Sequence, residues 1–219
     1  MNNLCQAGHD HHTRIVVDTD LGEMTVYDWN QYKNFNGYCT GQDDVSRTLI
    51  NTGSWENQIT KLISSILINE MINGIFIDVG CNVGWYSRLA RQLGYKVMAY
   101  DGDKEHLELM SANAPGSIGN NIWFDNQVKA YSKTEPITLM KCDIEGNEQF
   151  AFKYFERCFK DKLVKNLVME VSPVFNNSYP ELVNNIVGCG YEAIEVDGVT
   201  KFNFDFNFKQ KDLWFRLKE

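Results

Sequence analysis

Residues 75–84 read Ile-Phe-Ile-Asp-Val-Gly-Cys-Asn-Val-Gly, and this stretch decides the fold. The mostly apolar run over 75–79 predicts a short, fully buried strand, and a predicted helix over 83–93 follows directly. Glycines between a strand and a helix let the backbone turn sharply, and the first helical turn offers unpaired N–H groups to a ligand. The stretch therefore predicts a nucleotide-type cofactor site, and the alternative is a tight turn that binds nothing.

Short apolar segments and amphipathic segments alternate along the rest of the chain. This alternation predicts parallel βαβ units, so we expect an α/β fold packed as a three-layer sandwich. Strands are predicted over 95–100, 137–142, 166–171, 191–196 and 213–217, with weaker candidates over 122–124 and 128–131. Helices are predicted over 55–71, with Ser54 as N-cap, and over 104–113, 148–159 and 180–187. The segment 202–208 predicts a further strand with one apolar face, formed by Phe202, Phe204, Phe206 and Phe208. These aromatic side chains would either pack in the core or line a substrate site.

We expect an N-terminal extension over 1–54 and a main domain over 55–219. Within the extension, 14–17 and 24–29 predict a small hairpin, and 30–53 is predicted mostly as a loop that would cover a substrate. The first residues lack the basic and apolar segments of a signal peptide, and no window reaches the ~18 apolar residues of a membrane span. These features predict a cytoplasmic protein without a membrane partner.

The chain has 219 residues and a formal net charge of −8, from 21 basic and 29 acidic residues. A net acidic surface argues against a nucleic-acid partner and favours a small neutral or cationic ligand. The six cysteines form no C-x-x-C pair, which predicts reduced thiols rather than disulfides or a zinc site. No metal ligands are therefore assigned, and a divalent-metal requirement and the oligomeric state stay open.

The glycine spacing of the loop discriminates between cofactors. From Gly80 the sequence reads G-C-N-V-G-W, which lacks the second and third glycines of G-x-G-x-x-G and so disfavours a nicotinamide dehydrogenase. The pattern D-x-G-x-N-x-G instead resembles motif I of class I S-adenosylmethionine methyltransferases. The resemblance implies that Asp78 faces the ammonium of the methionine moiety and that Gly80 and Gly84 clear space for the ligand.

Asp101 ends the strand that follows this unit. An acidic side chain at this position can accept hydrogen bonds from both ribose hydroxyls of an adenosine. The alternative is that Asp101 or Asp103 caps the next helix.

Acidic residues crowd the end of the strand predicted over 137–142. Asp143, Glu145 and Glu148 should repel one another, so at least one needs a raised pKa, a cation or a hydrogen-bond partner. Lys141 alternates onto the face of Asp143 and is the candidate partner. Glu170 lies on the same edge of the sheet, at the tip of the next strand. Helix capping is the alternative role for Glu145 and Glu148.

Three segments in this order resemble the FkbM-type methyltransferases: FIDVGCNVGWYS (76–87), LMKCDIEGNE (139–148) and VMEVSP (168–173). The resemblance spans about 55–219 and implies a Rossmann-like, mostly parallel seven-strand sheet with helices on both faces. It also implies S-adenosylmethionine as cofactor and S-adenosylhomocysteine as product. The sequence departs from the family pattern at Cys81, where alanine is usual, and at Asp101-Gly102, where Glu-Pro is usual.

The resemblance and the residue patterns together define two sets of candidate site residues. The cofactor set is Asp78, Gly80, Cys81, Asn82, Gly84, Trp85, Tyr86, Ser87, Asp101, Gly102 and Asp143, with Asp125 and Asn126 for the adenine. The catalytic set is Lys141, Asp143, Glu145, Glu148 and Glu170.

The resulting expectation is an S-adenosylmethionine-dependent O-methyltransferase that acts on a hydroxyl of a sugar or another small metabolite. The cofactor brings its own leaving group, so the protein mainly aligns the nucleophile and excludes water. The alternative is a non-catalytic protein that keeps the fold and binds a cofactor or a partner. The acceptor and the methylated atom stay open.

Overall fold

The computed structural model describes residues 13–28, 44–70, 74–127, 129–173 and 178–218, and its chain forms two compact units, 1–55 and 56–219. In the first unit, β1 (Arg14–Val17) pairs antiparallel with β2 (Met24–Tyr27). The backbone N–H of Tyr27 donates to Ser46 Oγ in helix α1 (Asp44–Thr52).

Helix α1 corrects the sequence interpretation, which left 30–53 mostly as loop. The helix has only nine residues and buries only Ser46 and Leu49, but its apolar residues do share one face, so the sequence carried a signal that the interpretation missed. The aromatic residues proposed to cover a substrate, Trp29, Tyr32, Phe35 and Tyr38, lie outside the described residues.

The second unit is a seven-strand sheet with alternating helices, which confirms the predicted Rossmann-like α/β architecture. Its strands are β3 (Ile75–Val79), β4 (Lys96–Asp101), β5 (Ile118–Asn121), β6 (Ile137–Cys142), β7 (Val164–Val171), β8 (Tyr191–Glu195) and β9 (Lys211–Leu217). Its helices are α2 (Asn57–Asn69), α3 (Trp85–Gln92), α4 (Lys104–Asn113), α5 (Glu148–Lys160) and α6 (Tyr179–Gly188). None of the described helices is long and apolar enough to cross a bilayer.

The strand order is β5-β4-β3-β6-β7-β9-β8, and β9 runs antiparallel to its two neighbours. Every residue of β3 and of β6 is buried, because central parallel strands are covered on both faces. β3 pairs with β4 on one side and β6 on the other, so the connections change direction between β3 and β6. Ligands of open α/β sheets bind at the carboxyl ends of strands at such a switch point.

The edge strand β5 lies at 118–121, whereas the sequence analysis placed a weak strand at 122–124. Its residues, Ile-Gly-Asn-Asn, have no alternating apolar pattern, so periodicity could not find it. Its amide side chains bond to the neighbouring backbone: Asn120 Nδ2 donates to Ala99 O at 3.1 Å and Asn121 Nδ2 to Asp101 O at 3.2 Å. No strand forms over 129–131, and residue 128 lies outside the described part of the chain.

Helix α2 begins at Asn57, two residues later than predicted, and Ser54 is not its N-cap. Glu56 occupies that position with a left-handed backbone, φ 39°, which cannot belong to a right-handed helix. The predicted strand over 202–208 is also wrong. These residues form an irregular segment in which the Phe202 ring packs near those of Phe204, Phe206 and Phe208.

Candidate active site

The β3–α3 loop follows the first buried strand and has three left-handed residues: Gly80 at φ 80°, Asn82 at 48° and Gly84 at 89°. A Cβ at Gly80 would lie 1.8 Å from the carbonyl oxygen of Asp143, and one at Gly84 would lie 2.8 Å from Met110 Cα. The sequence analysis explained both glycines by space for a ligand. The structure gives them a different primary role, since protein atoms lie where their side chains would be.

Backbone hydrogen bonds connect this loop to the tip of β4. Gly80 N donates to Tyr100 O at 2.8 Å, and Asn82 N donates to Asp101 Oδ2 at 3.0 Å. The other oxygen of Asp101 accepts from Asp103 N at 2.9 Å. It also lies 3.2 Å from His106 Nδ1. Asp101 therefore links the glycine loop to the start of α4.

The predicted capping role for this region belongs to Asp103. Its side chain accepts from Glu105 N at 2.8 Å and forms the N-cap of α4. Asp101 lies two residues before the cap, at the carboxyl edge of the sheet, where the proposed ribose contact requires it.

Asp78 is fully buried beneath the loop. Ser87 Oγ donates to its Oδ2 at 2.6 Å, whereas Oδ1 has no hydrogen-bond partner among the described residues. Burial raises the pKa of Asp78 to about 6, although the Ser87 hydrogen bond and the charge of Lys141 lower it. A buried carboxylate with a spare acceptor oxygen favours the approach of a cationic group.

Trp85, Cys81 and Tyr86 are buried around the same loop. Trp85 Nε1 donates to Thr60 Oγ1 at 3.0 Å, and burial raises the pKa of the Cys81 thiol well above its usual value. The Trp85 hydrogen bond joins α3 to α2, and Cys81 lies buried within the loop itself.

Lys141 is the fully buried centre of the acidic edge. Its Nζ lies 3.0 Å from Asp143 Oδ2 and 3.5 Å from Asp212 Oδ1, and 5.7 Å from the centre of the Tyr86 ring. The predicted ion pair with Asp143 is therefore present. Burial disfavours the ammonium, but Asp143 and Asp212 outweigh it and raise the pKa of Lys141 well above its usual value.

Glu170 carries the largest carboxyl perturbation at this edge. Its burial, followed by the charge of Asp143 and a hydrogen bond with it, raises the pKa of Glu170 to about 10. Burial would also raise the pKa of Asp143, but the ammonium of Lys141 lowers it below its usual value. Among the three acids of the sequence prediction, Asp143 has a cation, Lys141, and Glu148 has hydrogen-bond donors. The strongly raised pKa lies on Glu170, on the neighbouring strand.

Glu148 is buried in the first turn of α5, and its carboxylate holds the preceding loop. It accepts from Ile144 N at 2.9 Å and from Gly146 N at 3.1 Å, and the hydroxyl of Tyr179 donates to it. Glu148 is an acid in the first turn of α5, as the capping alternative expects, but its hydrogen bonds go to N–H groups that precede the helix. Glu145 is exposed in a left-handed conformation, φ 52°, between these bonds.

Two acidic residues near Lys141 escaped the sequence analysis. Asp212 on β9 lies opposite Glu170 on β7 in the backbone register of the sheet. It reaches this edge because β9 runs antiparallel and begins where the parallel strands end. Burial raises the pKa of Asp212. Glu56 accepts a hydrogen bond from Tyr86 Oη at 2.7 Å, and its only sequence signal was its position at the entry to α2.

The residues predicted for the adenine follow the edge strand β5 and are exposed. Asp125 and Asn126 occupy a turn in which Asp125 accepts from Gln127 N at 2.8 Å. The ring of Trp123, which the sequence analysis did not select, covers Gly102, where an added Cβ would lie 2.5 Å from it. Trp123 remains 72 % exposed, so one face of its ring is open.

A cavity of about 690 Å³ lies at the opposite, amino-terminal edge of the sheet, between α2 and β9. Lys61, Glu70, Asp197 and Arg216 give it a mixed charge. It is distant from the glycine loop and includes none of the predicted site residues, so we do not assign the active site to it.

Solved structures of methyltransferases share this fold. A TehB-like S-adenosylmethionine-dependent methyltransferase from Corynebacterium glutamicum is 14 % identical, with 87 % of this chain and 98 % of that chain covered at a TM-score of 0.58. An S-adenosylmethionine-dependent methyltransferase from Clostridium acetobutylicum is 9 % identical, with 87 % of this chain and 99 % of that chain covered at a TM-score of 0.54. An rRNA methylase from Streptococcus thermophilus is 15 % identical, with 73 % of this chain and 94 % of that chain covered at a TM-score of 0.50.

No protein-family model matches the sequence, and the search of curated proteins gives no significant match. At these identities, the structural likeness establishes the Rossmann-like methyltransferase fold. The assignment of cofactor and acceptor depends on the residues of the site itself.

Proposed function

We propose that this chain is an S-adenosylmethionine-dependent methyltransferase. The observation that carries the proposal is the buried Asp78 carboxylate with its spare oxygen, beside a left-handed glycine loop at the switch point of a methyltransferase fold. The cofactor brings an ammonium and a sulfonium, both positive, to an edge rich in carboxylates. The two most similar structures described above are named as S-adenosylmethionine-dependent enzymes, which supports the same cofactor here.

The cofactor contacts follow from the tips of β3 and β4. Asp78 would face the ammonium, and Asp101 would accept the ribose hydroxyls. The two backbone N–H groups that bond to Asp101 leave about two of the four lone-pair directions of its carboxylate for the ribose, with His106 in the tautomer whose Nδ1 carries no proton. The exposed face of Trp123, next to Gly102, offers a stacking surface for the adenine, and Asp125 and Asn126 remain candidates for its polar edge.

The proposed acceptor is a hydroxyl group of a sugar or another small metabolite. The resemblance of three sequence segments to FkbM-type methyltransferases supports this class, and the net charge of −8 argues against RNA. The rRNA named for one structural neighbour is therefore not carried over to this chain.

Asp143 is the proposed proton acceptor. The hydroxyl oxygen attacks the sulfonium methyl in line, the carbon–sulfur bond breaks, and S-adenosylhomocysteine leaves. The oxygen becomes a strongly acidic oxonium as the new bond forms, so even a carboxylate with a lowered pKa can take its proton. Lys141 keeps Asp143 ionised and oriented, and the protonated Glu170 beside it bears no competing charge at neutral pH.

The test is product formation from S-adenosylmethionine and a panel of hydroxylated metabolites, followed by mass spectrometry of S-adenosylhomocysteine and methylated product. With an acceptor in hand, Asp143→Asn should lower single-turnover methyl transfer by a factor on the order of 10²–10⁴. Asp161→Asn is the matched control, since Asp161 also forms an ion pair, with Arg157, but on the exposed surface of α5.

Near-normal transfer by Asp143→Asn would remove Asp143 from this role. Cofactor binding without transfer to any acceptor would instead favour the non-catalytic alternative.

A further inference from the structure

Three carboxyl groups converge at the carboxyl edge of β6 and β7. One oxygen from each of Asp143, Glu145 and Glu170 lies within 4.8 Å of the others. Asp143 follows the last residue of β6, Glu145 lies in the turn before α5, and Glu170 is the penultimate residue of β7. The three side chains therefore reach one point from three separate backbone positions.

The second observation is the state of Glu170. Its side chain is buried, with 3 % of the residue exposed, and Oε1 has no hydrogen-bond partner among the described residues. A buried carboxyl oxygen without a donor is unfavourable, because desolvation is not offset by a new bond. This oxygen belongs to one of the three converging groups, so a ligand at their centre would satisfy it.

The local charge also favours a cation. Asp212 adds a fourth carboxyl group, opposite Glu170 on β9. The ammonium of Lys141 lies between Asp143 and Asp212, on one side of the group. One ammonium thus serves a neighbourhood of four carboxyl groups, and a bound cation would displace the proton that Glu170 otherwise carries at neutral pH. The side formed by Glu145 reaches solvent, which gives an ion a path of entry.

We propose that Asp143, Glu145 and Glu170 bind one divalent cation. The donor set consists of carboxylate oxygens alone, which suits Mg²⁺ or Mn²⁺ rather than zinc or copper. No metal ligands were assigned from the sequence, because that assignment considered cysteine spacing and because Glu170 lies on a different segment from Asp143 and Glu145. The cation would also hold the acceptor hydroxyl beside Asp143, a positioning role that rests on the proposed function.

The test is Mn²⁺ binding to the full chain, without cofactor or acceptor, measured by electron paramagnetic resonance of the free ion. We expect one site per chain, with competition by Mg²⁺. Glu145→Gln and Glu170→Gln should each weaken binding by about tenfold or more, since even second-shell changes commonly cost that much. Glu181→Gln removes an exposed carboxylate elsewhere, in α6, and should leave binding unchanged.

Absence of binding at millimolar Mn²⁺ would overturn the proposal, as would equal affinities of wild type and both site variants. Because Glu145 is exposed, Glu145→Gln should fold normally and decides the result even where Glu170→Gln does not fold. Cofactor binding is measured separately, so a failed cation site leaves the methyltransferase proposal standing, and the reverse also holds.

Discussion

At Asp78, one carboxylate oxygen bonds to Ser87 and the other has no partner among the residues that the structure describes. Burial raises the pKa of this group to about 6 from its usual 3.8. At a pH between these two pKa values, the Asp78 carboxyl is ionised in the unfolded chain and still protonated in the folded chain. Rising pH therefore favours the unfolded state over this interval, and Asp78 lowers the stability of the cofactor-free protein at neutral pH.

This gives a stability prediction for Asp78→Asn. As pH rises from about 4 to about 7, ionisation of Asp78 should lower the free energy of unfolding of the wild type by an amount on the order of 3 kcal/mol. The Asn variant should lack that loss, because its amide does not titrate in this range. Urea unfolding at a series of pH values measures both, and parallel curves for the two proteins would contradict the assignment.

Glu148 and Glu145 lie three residues apart and should respond differently to the same change. In Glu148→Gln, the amide nitrogen replaces an oxygen that accepts from the loop N–H groups or from Tyr179, so buried donors lose their acceptor. We expect a loss of about 1–3 kcal/mol in the free energy of unfolding. Glu145→Gln, on the exposed side, should stay within about 0.5 kcal/mol of wild type. Equal effects in denaturant unfolding would show that Glu148 does not hold the loop.

At the scale of elements, the β3–α3 loop and the end of β6 are packed against each other at Gly80. Their separation leaves no room for a side chain, since an added Cβ would lie 1.8 Å from Asp143 O. The loop that would bind the cofactor and the strand end that carries Asp143 are therefore held together by this close backbone contact and by the adjacent hydrogen bond from Asp143 N to Val79 O, at 2.9 Å. This contact fixes the distance between the two halves of the site.

Gly80→Ala tests that contact, with Gly188→Ala as a matched control. The first variant introduces a steric overlap and a left-handed alanine. We therefore expect its free energy of unfolding to be lower by about 2 kcal/mol or more. Gly188 ends α6 with no atom within 4 Å of an added Cβ, so its variant should be neutral or slightly stabilising. Similar melting temperatures for both variants would contradict the close packing.

Local pattern predicted most elements of the main domain and missed one strand and one helix. The segment 137–142 is apolar except at Thr138 and Lys141 and was found with its observed limits. The helix Lys104–Asn113 was also found with its limits, although the apolar contrast between its faces is weak. The strand Ile118–Asn121 is held by backbone pairing and asparagine side chains, and the helix Asp44–Thr52 buries only two residues. The strand lacks the alternating apolar pattern on which such predictions depend, whereas the helix is amphipathic but only nine residues long.

At the scale of the whole molecule, the site combines residues that are close along the chain with residues that only the topology brings together. Lys141, Asp143 and Glu145 could be identified because they occupy one segment. Asp212 could not, because its place at the same edge depends on β9 running antiparallel, a direction that no local pattern specifies. The close association of the glycine loop with Asp143 likewise depends on the strand order.

The most direct test of the account is isothermal titration calorimetry with S-adenosylmethionine, repeated with S-adenosylhomocysteine. We expect binding of one molecule per chain. For Asp78→Ala we expect affinity for S-adenosylmethionine about tenfold or more lower, because a hydrogen bond to a charged group contributes about 1.5–3 kcal/mol. Absence of binding of either compound at millimolar concentration, in a protein shown to be folded, would contradict the proposed cofactor site.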